Sequence, residues 1–198
     1  MIAGGPYVIG CDVGSQGTNS ALYAADGTLV ASAYEAYDLS FPHPTWAEQD
    51  PDLWVTAIER TVARLVAEVP EGASAIKGLS FGSQLDGMVV CDAAGRPVRP
   101  AMIWMDRRAE DQSAALAKTM SPETFYSHVG ANLDSSHAVF KALWVRDEEP
   151  GPWQDAADSP LQDVKPPCHF QFRQTSLPFR VRKISASTRT FRPEPFSA

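Results

Sequence analysis

Three short segments of this 198-residue sequence carry side chains in spacings that could do chemistry. The first is Asp12-Val13-Gly14-Ser15-Gln16-Gly17-Thr18. Gly14 and Gly17 let the backbone approach an anion with no Cβ in the way. Successive N–H groups across Gln16 can then point at phosphate oxygens, and the Ser15 and Thr18 hydroxyls can add hydrogen bonds. Asp12, at the end of an apolar run, can hold Mg²⁺, usually through water, because that ion gives up its hydration shell reluctantly. A plain hairpin, with Asp and Gly chosen for turn geometry, uses the same residue types. The segment is not a G-x-x-x-x-G-K-[ST] loop, so a Walker-type nucleotidase is not indicated.

The second segment is Gly82-Ser83-Gln84-Leu85-Asp86-Gly87 and the third runs from Pro100 to Arg108. A site for a polyhydroxy compound needs carboxylates and amides for adjacent hydroxyls and an aromatic face for the carbon skeleton. Gln84, Asp86, Trp104, Asp106 and Arg107 supply that set. Each also has an ordinary reading: Asp86-Gly87 as a turn, Trp104 as core, Asp106 as a helix N-cap and Arg107 as a solvated first-turn residue.

The elements that must position these segments are legible from pattern. Tyr7–Cys11, Ser20–Ala24 and Leu29–Tyr34 read as strands, with Asp26-Gly27 as a hairpin turn between the second and third. Asp50 caps a helix with Pro51 at its first position, and Trp54, Ile58, Val62, Leu65, Val66 and Val69 recur at helical spacing. Ala75–Phe81, Met88–Cys91 and Ala101–Trp104 read as further strands. Helices are expected over Arg107–Lys118, from Ser121, and over Ser136–Arg146, the last with Val139, Leu143 and Ala142 inward. The fold class is α/β. The opening order is similar to the ribonuclease-H-like unit of the actin-like ATPase superfamily.

Composition narrows the function classes. The formal net charge of -7 argues against a nucleic-acid partner. Cys11, Cys91 and Cys168 have no spacing of a disulfide framework or zinc site. The sequence starts without a basic and then apolar leader, and no run approaches the length needed to span a bilayer, so a cytoplasmic protein without membrane contact is expected. The acidic excess lies in residues 1–153. Residues 154–198 are net basic and hold six of the 16 prolines. They show no sustained period and read as an unrelated, disordered tail.

Together the segments resemble the FGGY family of carbohydrate kinases, most closely its xylulokinase-like members. Asp12 to Ser15 matches the family's D-x-G-[TS] motif. His43-Pro44-Thr45-Trp46-Ala47-Glu48-Gln49-Asp50-Pro51 with Trp54 matches its H-P-x-W-x-E-Q-D-P-x-x-W signature. Pro100 to Arg107 matches P-A-I-x-W-x-D-x-R. Gly130 to Leu133 and Lys141 to Trp144 fit its later helices. The resemblance covers about residues 6–153 and implies phosphorylation of a sugar or polyol hydroxyl by ATP with Mg²⁺. It implies that Asp12 positions the metal and that Gly14, Ser15, Gln16, Gly17 and Thr18 face the terminal phosphates. It implies substrate contacts from Gln84, Leu85, Asp86, Trp104, Asp106 and Arg107. Family members are often dimeric.

The sequence departs from the family pattern in places. Asn19 stands where a lysine is frequent, and Gln84-Leu85-Asp86-Gly87 where xylulokinases read Q-M-H-G and glycerol kinases carry an Arg-Glu pair. The family's catalytic base and its second, nucleotide-holding domain lie beyond the matching region. The expectation is therefore an incomplete kinase domain, cut by a frameshift or truncation near Trp153 and inactive alone. A non-catalytic sugar-binding or interaction module is the alternative. An ATPase or chaperone fragment of the same superfamily is disfavoured by the Trp46–Trp54 and Trp104–Arg107 segments.

Overall fold

Tyr7, Ile9, Cys11 and Val13 alternate with Val8, Gly10 and Asp12, and that period of two folds as β1 (Tyr7–Val13), with the first set buried. In this computed structural model residues 5–157 are described. β2 (Gly17–Ala24) and β3 (Leu29–Ala36) follow as an antiparallel meander. Gly27, at φ 85, turns the chain between them, a conformation that glycine adopts without Cβ strain. The short strand β4 (Glu48–Gln49) leads into helix α1 (Pro51–Ala67), and β5 (Ile76–Ser83) returns parallel to β1. The sheet order is β3-β2-β1-β5. A parallel neighbour needs a long crossover, and α1 supplies it.

α1 starts as its sequence dictates. The Asp50 carboxylate accepts the Asp52 N–H at 3.0 Å and Pro51 occupies the first position. Its buried face is Trp54, Ala57, Thr61 and Leu65, flanked by half-buried Ile58, Val62 and Val66. Leu65 and Val69 pack on Tyr7, Ile9, Leu22 and Ile76. Thr61 sits inside because its hydroxyl donates to the Ala57 carbonyl and meets Ser20 Oγ at 2.8 Å, so no buried polar group is stranded.

A second layer holds the site. β6 (Ala101–Met102) pairs antiparallel with β4. Met88–Cys91, expected as a strand, contributes only isolated bridges, Met88 to Met102 and Cys91 to Pro97. Ala101–Trp104 likewise shortens to two paired residues. α2 (Glu110–Ala117) starts three residues later than expected. Asp106 does not cap it, because both Asp106 oxygens are engaged by Ala47 and Arg108. α3 (Pro122–Val129) has the expected Ser121 cap on Thr124 and ends at Gly130, φ 74.

α4 (Ala138–Glu148) buries Ala142 as expected but otherwise differs from the sequence expectation. Val139 is 48% exposed, and Phe140, Lys141, Ala142 and Val145 face inward. Two clusters flank the helix: Phe140 joins Ala109 and Phe125, while Ala142 and Val145 join Met88, Val90 and Met102. A buried lysine breaks the hydropathy stripe that would have revealed this face. α5 (Pro150–Ala157) spans the composition change at Trp153 and buries Ala156. The disordered tail expected further on lies outside the described residues. No helix among those described is long and apolar enough to cross a membrane.

Candidate active site

β1 and β5 run parallel, so their carboxyl ends reach one edge together, with Val13 opposite Ser83. Ligand sites of open α/β sheets lie outside such strand ends. The turn after β1 and the Gln84–Gly87 segment after β5 leave this edge side by side, and the Gln84 N–H donates to the Val13 carbonyl at 3.2 Å.

Main-chain geometry builds the turn. The Gly14 N–H donates to the Gly17 carbonyl at 3.0 Å. A Cβ on Gly17 would lie 2.3 Å from the Tyr34 hydroxyl, so glycine is required for this close approach. The Tyr34 hydroxyl donates to the Gln16 carbonyl at 3.0 Å and the Tyr37 hydroxyl to the Gly14 carbonyl at 2.7 Å. Burial pushes the Tyr37 phenol up, which keeps it a donor. Asp12 and Gln16 are exposed and Ser15 is half-buried. Thr18 is buried against Tyr37, so its hydroxyl does not reach the open edge.

Asp12 stands on the sheet face opposite α1, in register with Asn19 and Gly82. No cluster of three metal-ligating side chains occurs among the described residues. A lone exposed carboxylate with a glycine beside it fits an ion that keeps most of its own water, as Mg²⁺ does.

Side chains build the neighbouring wall. Trp104 is 45% exposed, and its Nε1–H donates to Ser15 Oγ at 2.8 Å. Ser15 Oγ in turn lies 3.4 Å from Gln84 Oε1. Asp86 has φ 53, left-handed for a non-glycine residue, and its carboxylate faces His137 Nδ1 at 3.3 Å. Arg107 pairs with Asp134, whose carboxyl is held below its usual range by Ser136 and then by nearby Arg107. Leu85 is exposed beside them. Gln84, Leu85, Asp86, Trp104 and Arg107 thus come together, whereas Asp106 does not. Asp106 is 0% exposed, and its oxygens accept from the Ala47 N–H at 2.8 Å and from Arg108 at 2.7 Å.

That buried carboxylate belongs to a brace under the wall. The Arg108 guanidinium lies 3.8 Å from the Trp46 ring and 4.9 Å from Trp144, and its Nη2 donates to Glu48. Arg99 ties Glu48 to Glu149. The Trp46–Trp54 segment is thereby explained position by position: Trp46 stacks, Glu48 pairs, Gln49 bonds, and Asp50 and Pro51 open α1.

Gln49 joins the turn to the wall. Its Nε2 donates to the carbonyls of Ser15 (2.7 Å) and Asp38 (3.3 Å). Its Oε1 accepts from Trp54 Nε1 (3.1 Å) and Gln84 Nε2 (3.3 Å). Lys141 is fully buried and donates to the carbonyls of Asp86 (2.6 Å) and Ile103 (2.7 Å). Desolvation lowers its pKa to about 8. Gln49, Asp134, His137 and Lys141 were not singled out from sequence as site residues. The i, i+4 spacing of His137 and Lys141 at a helix start was the available signal.

Comparisons with known proteins agree on a family. The profile of the FGGY family of carbohydrate kinases, N-terminal domain, matches residues 7–163. The chain is 27% identical over 147 residues to a xylulose kinase of Lactococcus lactis, covering 74% of this chain and 29% of that protein. It is 31% identical over 160 residues to a glycerol kinase of Halobacterium salinarum, covering 79% and 31%. Among solved structures, the xylulose kinase of Rhodospirillum rubrum superposes with a TM-score of 0.71 at 30% identity, covering 75% of this chain and 30% of that one. The chain therefore spans under a third of the length of these relatives.

Proposed function

The chain belongs to the FGGY family of carbohydrate kinases, and from that premise we propose that it carries one side of an ATP-dependent sugar or polyol kinase site. The observation that carries this reading is the hydrogen-bonded path Trp104–Ser15–Gln84–Gln49, which joins an anion-shaped turn to a hydroxyl-reading wall at one sheet edge.

In this proposal the main chain of Gly14 to Gly17 and the Ser15 hydroxyl face the terminal phosphates. Asp12 would hold water of a Mg²⁺ shell, and that ion, when bound, would supply charge neutralisation for phosphoryl transfer. Gln84, Asp86 and Arg107 bind hydroxyls, and the exposed Trp104 face packs on the carbon skeleton. Asp106 serves by bracing Arg108. The wall places an acceptor hydroxyl beside the turn, and catalysis by alignment needs that proximity. None of the described residues is assigned the proton-accepting role. The relatives include a xylulose kinase and a glycerol kinase, so the candidate acceptors are pentuloses and smaller polyols.

The test is a coupled ADP-release assay on the purified chain, with a panel of ketoses and polyols, beside direct binding measurements. Saturable polyol binding with negligible turnover is expected from one side of a site. Robust polyol-dependent turnover would place a base and an adenosine site within this chain and contradict the reading. Polyol binding without any response to Mg-nucleotide favours the sugar-binding module instead.

A further inference from the structure

Asp86, at φ 53, sits in a left-handed backbone region that a non-glycine residue keeps only where its surroundings hold it there. Two side chains one turn apart on α4 do so. Lys141, fully buried, donates to the Asp86 carbonyl at 2.6 Å and to the Ile103 carbonyl at 2.7 Å. His137, at the helix N-cap, directs Nδ1 at the Asp86 carboxylate at 3.3 Å. Its other ring nitrogen, Nε2, lies 2.9 Å from the Asn132 carbonyl, which fixes the ring plane. The carboxylate and imidazole remain open to solvent, at 39% and 22% of their side-chain surfaces.

We propose that α4 holds Asp86 in a two-point clamp, Lys141 on its backbone and His137 on its carboxylate, so that the remaining acceptor sites of that carboxylate face the hydroxyls of a polyol. The clamp rests on the polyol reading for its purpose but not for its existence. Lys141 is a positioning residue. It touches no open surface, and its bond to Ile103 O also fixes the chain just before Trp104. His137 is a positioning residue as well, because Asp86 and the Asn132 carbonyl occupy its two ring nitrogens. A carboxylate has several acceptor sites, so Asp86 can hold His137 with one and take hydroxyl donors on the others. Arg107 flanks the pair and engages Asp134 through Nη1, which leaves its other nitrogens and the Asp86 carboxylate to the ligand.

The full chain is tested in two ways. Backbone carbon shifts of Asp86 report its left-handed conformation without any ligand. Lys141→Met should abolish that signature while the fold persists by circular dichroism, and unchanged Asp86 shifts overturn the clamp. Xylitol and glycerol binding are then measured by titration calorimetry. Lys141→Met and His137→Ala should each weaken the tighter of these by about tenfold, as loss of a hydrogen bond to a charged group does. His137→Asn, which restores an N–H donor, should recover most of the loss, and His137→Ala should add little to Asp86→Ala. Independent, additive losses, or no rescue by asparagine, overturn the pairing of Asp86 with His137. If the wild-type chain binds neither polyol, the functional reading of the wall fails, and the Asp86 shifts still decide the clamp.

Discussion

The turn at Gly14–Thr18 and the wall around Asp86 and Trp104 lie side by side but are built from different materials. Neutral groups shape the turn: a Gly14–Gly17 backbone bond and two tyrosine hydroxyls on turn carbonyls, all from the first three strands and the residue that follows them. The wall is charged and assembled from distant segments. Asp86, Arg107, Asp134, His137 and Lys141 converge there over a buried Asp106–Arg108–Glu48 network. Phosphate arrives with its own charge and metal, so main-chain dipoles suffice to meet it. A neutral polyol must be read by oriented donors and acceptors, and these need a rigid scaffold. Damage to the turn should therefore stay local, and damage beneath the wall should spread.

Asp106→Ala presses that contrast hardest. It removes one of the two carboxylates that Arg108 engages, leaving Glu48, and strands the buried Ala47 N–H in a site with no access to water, so about 3 kcal/mol is expected, the low end of the cost of breaking a buried pair. Urea unfolding should show the loss, and a change under 1 kcal/mol, on the order of an exposed ion pair, would mean the network is not the scaffold. Gln49→Leu comes next. It unpairs the buried Trp54 indole and the Ser15 carbonyl together, and about 2–3 kcal/mol is expected from leaving such groups unsatisfied. The turn and the wall should also lose their mutual effect on ligand binding.

Lys141 gives a pH test with a defined sign. Its folded value, lowered to about 8, lies below the ordinary 10.5, so the unfolded chain binds more protons between them. Stability contributed at this position must then rise as pH climbs from 8 towards 10.5, by roughly 2 kcal/mol for a shift of this size. Wild type compared with Lys141→Met in urea at pH 7.5 and 10 isolates it from other groups. A difference that stays flat or reverses would show that the amine is not buried as described. Gly17→Ala should do least, about 1 kcal/mol, because its clash is with the movable end of Tyr34 and mainly breaks the Tyr34 bond to Gln16. Its effect on polyol affinity should be negligible, and a large one would erase the distinction between the two regions.

The same contrast explains what could be read from sequence. The meander, α1 with its Asp50 cap, and the turn depend on neighbours in the chain, so alternation, Asp-Gly and Asp-Pro pairs expose them. The strand β5 followed from its apolar run after a helix, though its parallel pairing with β1 did not. The inner face of α4 did not, because Lys141 carries a charge that pattern reading assigns to solvent. Asp106 misled for the opposite reason: its motif position suggests a ligand, and only the fold reveals that Ala47 and Arg108 consume it. His137 and Lys141 became visible only once β5 and β6 brought Asp86 and Ile103 against α4.

The central claim is that the turn and the wall form one contiguous ligand surface. An NMR titration of the full chain with xylitol, followed by amide and indole shifts, tests it directly. Saturable shifts confined to Ser15, Gln84, Asp86 and the Trp104 indole are expected, with smaller changes at Gln49. Absence of saturation, or shifts centred away from the β1–β5 edge, would contradict it.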